Sequence, residues 1–72
     1  MVSEAEVDSI FKSVANQKGY RANVTVHRYT AEKKFIVGIS GGIHKAFEFA
    51  IPVEATVREI RTTAEKVFRL EP

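Results

Sequence analysis

The stretch that most resembles a catalytic motif lies in the middle of the chain. Gly38-Ile39-Ser40-Gly41-Gly42 matches G-x-S-x-G, a pattern that exposes a serine nucleophile on a sharp turn between a strand and a helix. That turn needs a large parallel sheet, but the glycines are followed by a second strand-like stretch, Ile43–Ile51, in a chain of only 72 residues. We therefore interpret these residues as a hairpin turn and predict no catalytic serine.

The histidines and carboxylates give no stronger signal for catalysis or metal binding. His27 and His44 are the only histidines, cysteine is absent, and the two histidines fall on different outer strands of the predicted sheet. Neighbouring strands lie ~4.8 Å apart, which separates the histidines by roughly 10 Å, too far for one metal ion. The carboxylates are dispersed and form no acid–base pair. The sequence thus predicts a non-enzymatic protein without a metal or another cofactor.

Basic residues are concentrated in the middle of the chain, although the net charge is only +2. Residues 1–11 carry a net charge of −3, residues 12–45 carry +6 and residues 46–72 carry −1. A basic region of this kind is compatible with an anionic partner or with an ordinary solvated surface.

One group of basic residues is predicted to gather at one end of the sheet. Arg28, Lys33 and Lys34 flank the connection between the first two strands. The second helix begins at the same end, because the third strand finishes there, and its residues Arg58 and Arg61 can join the group. Phosphates are held by positioned positive charge, so this group or the one at the opposite end, Lys18, Arg21 and Lys45, could hold the backbone of a nucleic acid. We predict that the first five residues bind it, in DNA or RNA. The acidic residues at this end are Glu32, Glu54 and Glu59.

A protein partner is the alternative prediction. Part of the outer face of the sheet could bury against another protein or a second copy of the chain, namely Ile36, Ala46 and Ala50 together with Tyr29. The edge strands, Arg21–Tyr29 and Ile43–Ile51, could also pair with another chain, because edge strands have unpaired backbone groups. The predicted outer face comprises Thr25, His27, Tyr29, Lys34, Ile36, Gly38, His44, Ala46, Glu48 and Ala50.

Two amphipathic helices are predicted at the two ends of the chain. Ser3 and Glu6 form a capping box before the first helix, residues 4–18, which Gly19 ends. The second helix follows Pro52 and begins at Val53 or only after Thr56, which forms a second capping box with Glu59; it ends near residues 68–70.

Three strands are predicted between the helices, and matching their apolar faces constrains their pairing. For the first hairpin we prefer Val26 opposite Val37, although a register slipped by two residues also matches the faces. For the second hairpin a three-residue loop, residues 40–42, matches the faces and gives Gly42 a positive φ. The remaining predicted pairs are Val24 with Ile39, Tyr29 with Lys34, Ile39 with Ile43, Val37 with Lys45, Phe35 with Phe47 and Lys34 with Glu48.

These elements predict an α+β protein, a two-layer sandwich with the order α-β-β-β-α. Residues 1–72 form a single domain in which two helices cover one face of a three-stranded antiparallel meander. The predicted core is Val7, Ile10, Phe11, Val14, Val24, Val26, Phe35, Val37, Ile39, Phe47, Phe49, Ile51, Val57, Ile60, Ala64, Val67 and Phe68.

The order α-β-β-β-α over the whole chain is similar to that of the double-stranded-RNA-binding domain. The resemblance lies in topology and length. It implies contacts to RNA from the first helix, from the loop between the first two strands and from lysines that open the second helix. Here that loop, residues 29–34, lacks the Gly-Pro-x-His pattern of the family, and residues 52–56 carry Glu54 in place of the lysines. No residue role is therefore transferred from the family.

No apolar run reaches the ~18 residues of a membrane span. The N-terminal residues 1–13 are acidic and begin an amphipathic pattern, unlike a signal peptide. We therefore expect a cytoplasmic protein with no membrane partner.

Overall fold

The computed structural model describes residues 2–21, 23–41 and 46–69, and for Arg69 the backbone alone. It confirms the predicted α+β order: a helix, three antiparallel strands that form one open sheet, and a second helix follow one another along the chain. The elements are helix α1, Glu4–Gln17; strand β1, Asn23–Tyr29; a short 3-10 turn, Thr30–Glu32; strand β2, Lys34–Ser40; strand β3, Phe47–Pro52; and helix α2, Val57–Arg69.

Both helices begin with the capping boxes expected from the sequence. The Ser3 hydroxyl accepts a hydrogen bond from the Glu6 backbone at 3.2 Å, and the Ser3 N–H donates to the Glu6 carboxylate at 3.1 Å. Thr56 and Glu59 repeat the arrangement at α2, with distances of 3.2 and 2.9 Å. Of the two predicted starts of the second helix, the later one is therefore correct.

The first hairpin has the register that the sequence analysis preferred. Val26 lies opposite Val37, Val24 opposite Ile39, and Tyr29 opposite Lys34. In this register the buried side chains of both strands point to the face that the helices cover.

The second hairpin has a different register from the predicted one. Phe35 lies opposite Ile51 rather than Phe47, so the pairing of β3 is shifted by four residues from the predicted one. An even shift keeps every side chain on its face, so the apolar pattern fits both registers equally well. The predicted pair of Lys34 with Glu48 is also wrong, because Pro52 lies opposite Lys34.

The three-residue loop predicted at residues 40–42 is wrong, because Ile39 lies opposite Phe47 rather than Ile43. Gly41 has a positive φ of 93°, in the region that favours glycine. Gly42, to which that conformation was assigned, lies outside the described residues, as do the predicted partners Ile43 and Lys45.

The core lies between the sheet and both helices and largely matches the prediction. Phe47 and Val57 are the two errors, being 37% and 45% exposed. Phe47 points to the helix side but begins its strand, and Val57 occupies the first turn of α2, so neither is covered on all sides. The buried residues that the prediction missed are Val2, Ala15 and Val53.

Aromatic rings connect the two helices to each other and to β3. Phe11 of α1 is fully buried, with its ring centre 5.6 Å from Phe49 and 6.5 Å from Phe68 of α2. Tyr20 stacks on Phe68 at 5.5 Å, and Phe47 stacks on Phe49 at 6.1 Å. Large buried aromatic side chains contribute much of the stability of a small core. Among the described residues, no helix is both long and apolar enough to cross a membrane.

Candidate nucleic-acid interface

A tight turn carries the basic residues that connect β1 to β2. The 3-10 segment is followed by Lys33, whose backbone is left-handed, with φ 52° and ψ 47°. The Lys33 N–H donates to the Thr30 carbonyl at 3.2 Å and closes the turn. The Lys33 side chain is exposed, and it extends from this hydrogen-bonded turn.

A single hydrogen bond joins this turn to the segment that leads into α2. The Val53 N–H donates to the Lys33 carbonyl at 3.1 Å, which extends the pairing of β2 and β3 one residue beyond Lys34 and Pro52. Val53 is 6% exposed and part of the core. The start of α2 and the turn therefore belong to the same end of the molecule.

Arg28 and Lys33 meet at a shallow cavity of about 280 Å³, which Thr30, Val53 and Glu54 complete. Arg28 is opposite Phe35 and so points to the helix side of the sheet, but it is exposed because it lies near the end of β1. Neither basic side chain forms a salt bridge within the described ranges. The two cations are therefore free to bind an anion, with one carboxylate, that of Glu54, in the same cavity.

Lys34 is separated from that cavity. It points to the outer face beside Tyr29, is half-buried, and forms a salt bridge with Glu32 at 3.5 Å. Glu32 partly neutralises it, so Lys34 is a weaker candidate for a phosphate contact than Arg28 or Lys33.

Arg58 and Arg61 lie on the exposed side of α2 and do not line the cavity. They are three residues apart and therefore neighbours on the helix surface. Neither arginine makes a salt bridge with any residue that the structure describes. The predicted group thus divides into a cavity pair, Arg28 and Lys33, and a helix pair at the same end of the fold.

Glu59 introduces a fixed negative charge beside the helix pair. The Thr56 backbone N–H and, to a lesser extent, its hydroxyl lower the pKa of the Glu59 carboxyl from its ordinary value of 4.5. Glu59 is therefore ionised at neutral pH, and it opposes anion binding near the start of α2.

The other residues considered for chemistry are dispersed. His27 is exposed on the outer face, Ser40 is half-buried at the end of β2, and His44 lies outside the described residues. In the parts of the chain that the structure describes, no three histidine, aspartate or glutamate side chains are grouped to hold a metal ion.

Sequence reasoning missed two features of this site. The left-handed backbone at Lys33 has no glycine or asparagine to signal it. Val53 was one of the two predicted helix starts, but it is instead the residue that joins the turn to the path into α2. A signal for that role is Pro52, which often marks the end of a strand rather than its interior.

The chain was also compared with protein-family models, with curated proteins and with solved structures, and none of them matched.

Proposed function

We propose that this protein is a non-enzymatic binding module that holds the phosphate backbone of a nucleic acid. Arg28 and Lys33 form the centre of the site, Arg58 and Arg61 extend it along α2, and Lys34 contributes from the outer face. The observation that carries this proposal is the hydrogen bond between Val53 and Lys33, because it connects the basic turn to the start of the basic helix.

Charge and exposure support this function. Arg28, Lys33, Arg58 and Arg61 are exposed and make no salt bridge with any described residue. Phosphate contacts need positive charge at fixed positions and little else, so exposed cations on a strand, a hydrogen-bonded turn and a helix suit them. Base reading has less support, since Tyr29 is the exposed aromatic residue of the outer face.

The test is binding of duplex RNA and duplex DNA, followed by fluorescence anisotropy at two salt concentrations. If about five cations contact phosphates, the affinity for the nucleic acid should fall about 10²- to 10³-fold between about 50 and about 200 mM salt. Absence of binding at the lower concentration would contradict the proposal, because phosphate contacts are strongest there.

A paired variant tests the residues themselves. Arg28→Gln with Lys33→Gln should weaken binding and reduce the slope of log K against log salt by about 2, since each phosphate contact contributes about 0.9. The matched control is Lys18→Gln with Arg21→Gln, which removes the same two residue types at the other end of the sheet. Equal losses for the two double variants would indicate only a general attraction of charge.

A second candidate function is interaction with another protein, through the outer sheet face or a strand edge. Both helices bury against one face, and the opposite face carries half-buried Ile36 and Tyr29, which is 47% exposed. Sedimentation equilibrium at high protein concentration tests whether a second copy is the partner. A protein that stays monomeric at all concentrations would exclude the homodimer, and the partner would then have to be a different protein.

A further inference from the structure

The free edge of the sheet at β3 presents backbone groups without partners. In an antiparallel pair, residues alternate between those that direct both backbone groups to the neighbouring strand and those that direct them away. The Val53 N–H bonds to the Lys33 carbonyl, so Val53 directs its backbone groups to β2. Because the direction alternates, Ile51 and Phe49 also direct their N–H and C=O groups to β2. Glu48 and Ala50 therefore direct their N–H and C=O groups away from the sheet.

These four groups are open to an incoming chain. Within the described residues none of them makes a backbone or side-chain hydrogen bond outside the sheet. The next carbonyl that points away from β2 is that of Pro52, and it accepts a hydrogen bond from the Ala55 N–H at 3.1 Å. An extended segment could pair with Glu48 and Ala50 and would then meet the turn at Pro52–Ala55, which marks one limit of the open edge.

A groove of about 410 Å³ runs between this edge and α2. Its walls are Ala50 and Pro52 on the strand side and Ala55, Glu59 and Thr63 on the helix side, with Glu54 between them. The groove contains two carboxylates and no basic side chain, and Glu48 adds a third exposed carboxylate on the strand itself. Among the residues that the structure describes, the charged side chains that line the groove are therefore both negative, while the Glu48 side chain lies over Gly38 on the outer face.

This charge decides which partner fits. A second copy paired through the same edge would bring the carboxylates of both copies together, and like charges facing each other across paired strands are destabilising. A basic segment gains from the same carboxylates. On the helix side, the rings of Phe47 and Phe49 lie along the edge, and Phe47 is 37% exposed, so the partner needs apolar side chains at alternate positions.

The opposite edge, β1, is less suitable. Its groove is lined by Glu4 and Asp8 of α1 together with residues of β1 that include His27. Asp8 already forms a salt bridge with Lys12 at 2.9 Å, and Arg28 lies at the end of the strand. The charge at β1 is therefore mixed.

We infer that the β3 edge is a docking site for an extended peptide in which basic and apolar residues alternate, bound as a fourth strand. This site adjoins the proposed nucleic-acid interface, with which it shares Glu54, and it restricts the protein-interaction candidate to one edge of the sheet and one class of partner. It does not require that the protein bind nucleic acid.

The experiment is an NMR titration with a synthetic peptide of alternating lysine and valine residues. We expect the amide signals of Glu48 and Ala50 to shift and their exchange with solvent to slow. The same peptide with N-methyl groups at every second residue keeps the charge but cannot form the ladder, and it should not bind. Equal binding of the two peptides, or shifts confined to the basic turn or to β1, would overturn the inference.

Charge variants provide the second readout. Glu48→Gln and Glu54→Gln should each weaken peptide binding about two- to five-fold, which corresponds to one surface ion pair. Glu4→Gln, the same change at the β1 edge, should leave it unchanged. Weaker binding in Glu4→Gln alone would assign the peptide to the β1 edge. A dimer that forms without peptide and slows exchange of the Glu48 and Ala50 amides would assign the β3 edge to a second copy. Either result rejects the inference.

Discussion

Lys33 has a left-handed backbone conformation, with φ 52° and ψ 47°, which glycine adopts far more readily than other residues. A side chain in this region strains the backbone, so a residue found there is a candidate for a functional role. Its N–H and C=O are both bonded, to Thr30 and Val53, and its side chain is exposed. The charge of Lys33 and the stability of the turn can therefore be altered independently.

Replacement of Lys33 by glycine should separate the two effects. Lys33→Gly relieves the left-handed strain but adds backbone entropy to the unfolded chain, so we expect between no change and about 1 kcal/mol more stability. Nucleic-acid binding should fall as in Lys33→Gln, which removes the charge and keeps the Cβ. Urea unfolding and anisotropy measure the two quantities. A clear loss of stability in Lys33→Gly would contradict this account and indicate packing by the lysine side chain.

At the scale of the elements, the sequence specifies faces and helix ends better than strand pairing. The capping residues Ser3 and Thr56 mark both helix starts, because a cap needs particular side chains at fixed spacing. The shift of β3 by four residues left no signal, because Ile51 and Phe47 are both apolar and lie on the same face. Both registers match the apolar faces, so periodicity gives no means of choosing between them.

The α2 capping box also predicts a pH dependence of stability. The Thr56 N–H lowers the pKa of Glu59, so the folded state binds this proton more weakly than the unfolded state. The stabilisation is therefore fully present above the ordinary carboxyl pKa of 4.5 and is lost as the pH falls through the lowered pKa. Glu59→Gln keeps a capping side chain without this titration.

Urea unfolding measured from neutral to acidic pH checks this expectation. The loss of stability below the ordinary carboxyl pKa should be smaller in Glu59→Gln than in the natural chain. Glu65→Gln, an exposed carboxylate of the same helix outside the cap, is the control and should lose stability like the natural chain. If Glu65→Gln also flattened the profile, the effect would come from net charge rather than from the cap.

At the scale of the whole molecule, charge is divided between neighbouring regions that share one carboxylate. Glu54 lines both the cavity of Arg28 and Lys33 and the groove beside β3. From the sequence one can predict that basic and acidic residues gather at this end of the fold. The groove, however, depends on the path of residues 53–56 between strand and helix. That path follows from the Val53 hydrogen bond and the Thr56 cap, which periodicity alone does not reveal.

Removing the charge of Glu54 should therefore act in opposite directions on the two proposed ligands. Glu54→Gln should strengthen nucleic-acid binding about two- to five-fold, the magnitude of one surface ion pair, while it weakens the basic peptide. Anisotropy with duplex RNA and the peptide titration, on the same variant, measure both. The expected result for Glu4→Gln is no change in either. A change of the same sign for both ligands would show that the two regions do not act separately.

The contact between Phe11 and Phe68 has a consequence for the synthesis of the chain. Helix α1 is made first, but its buried aromatic ring is covered by Phe68, near the end of α2. The chain can therefore complete its core only after residue 68 has left the ribosome. Until then the apolar face of α1 lacks the cover that α2 provides, so the core should be completed only after α2 has been synthesised.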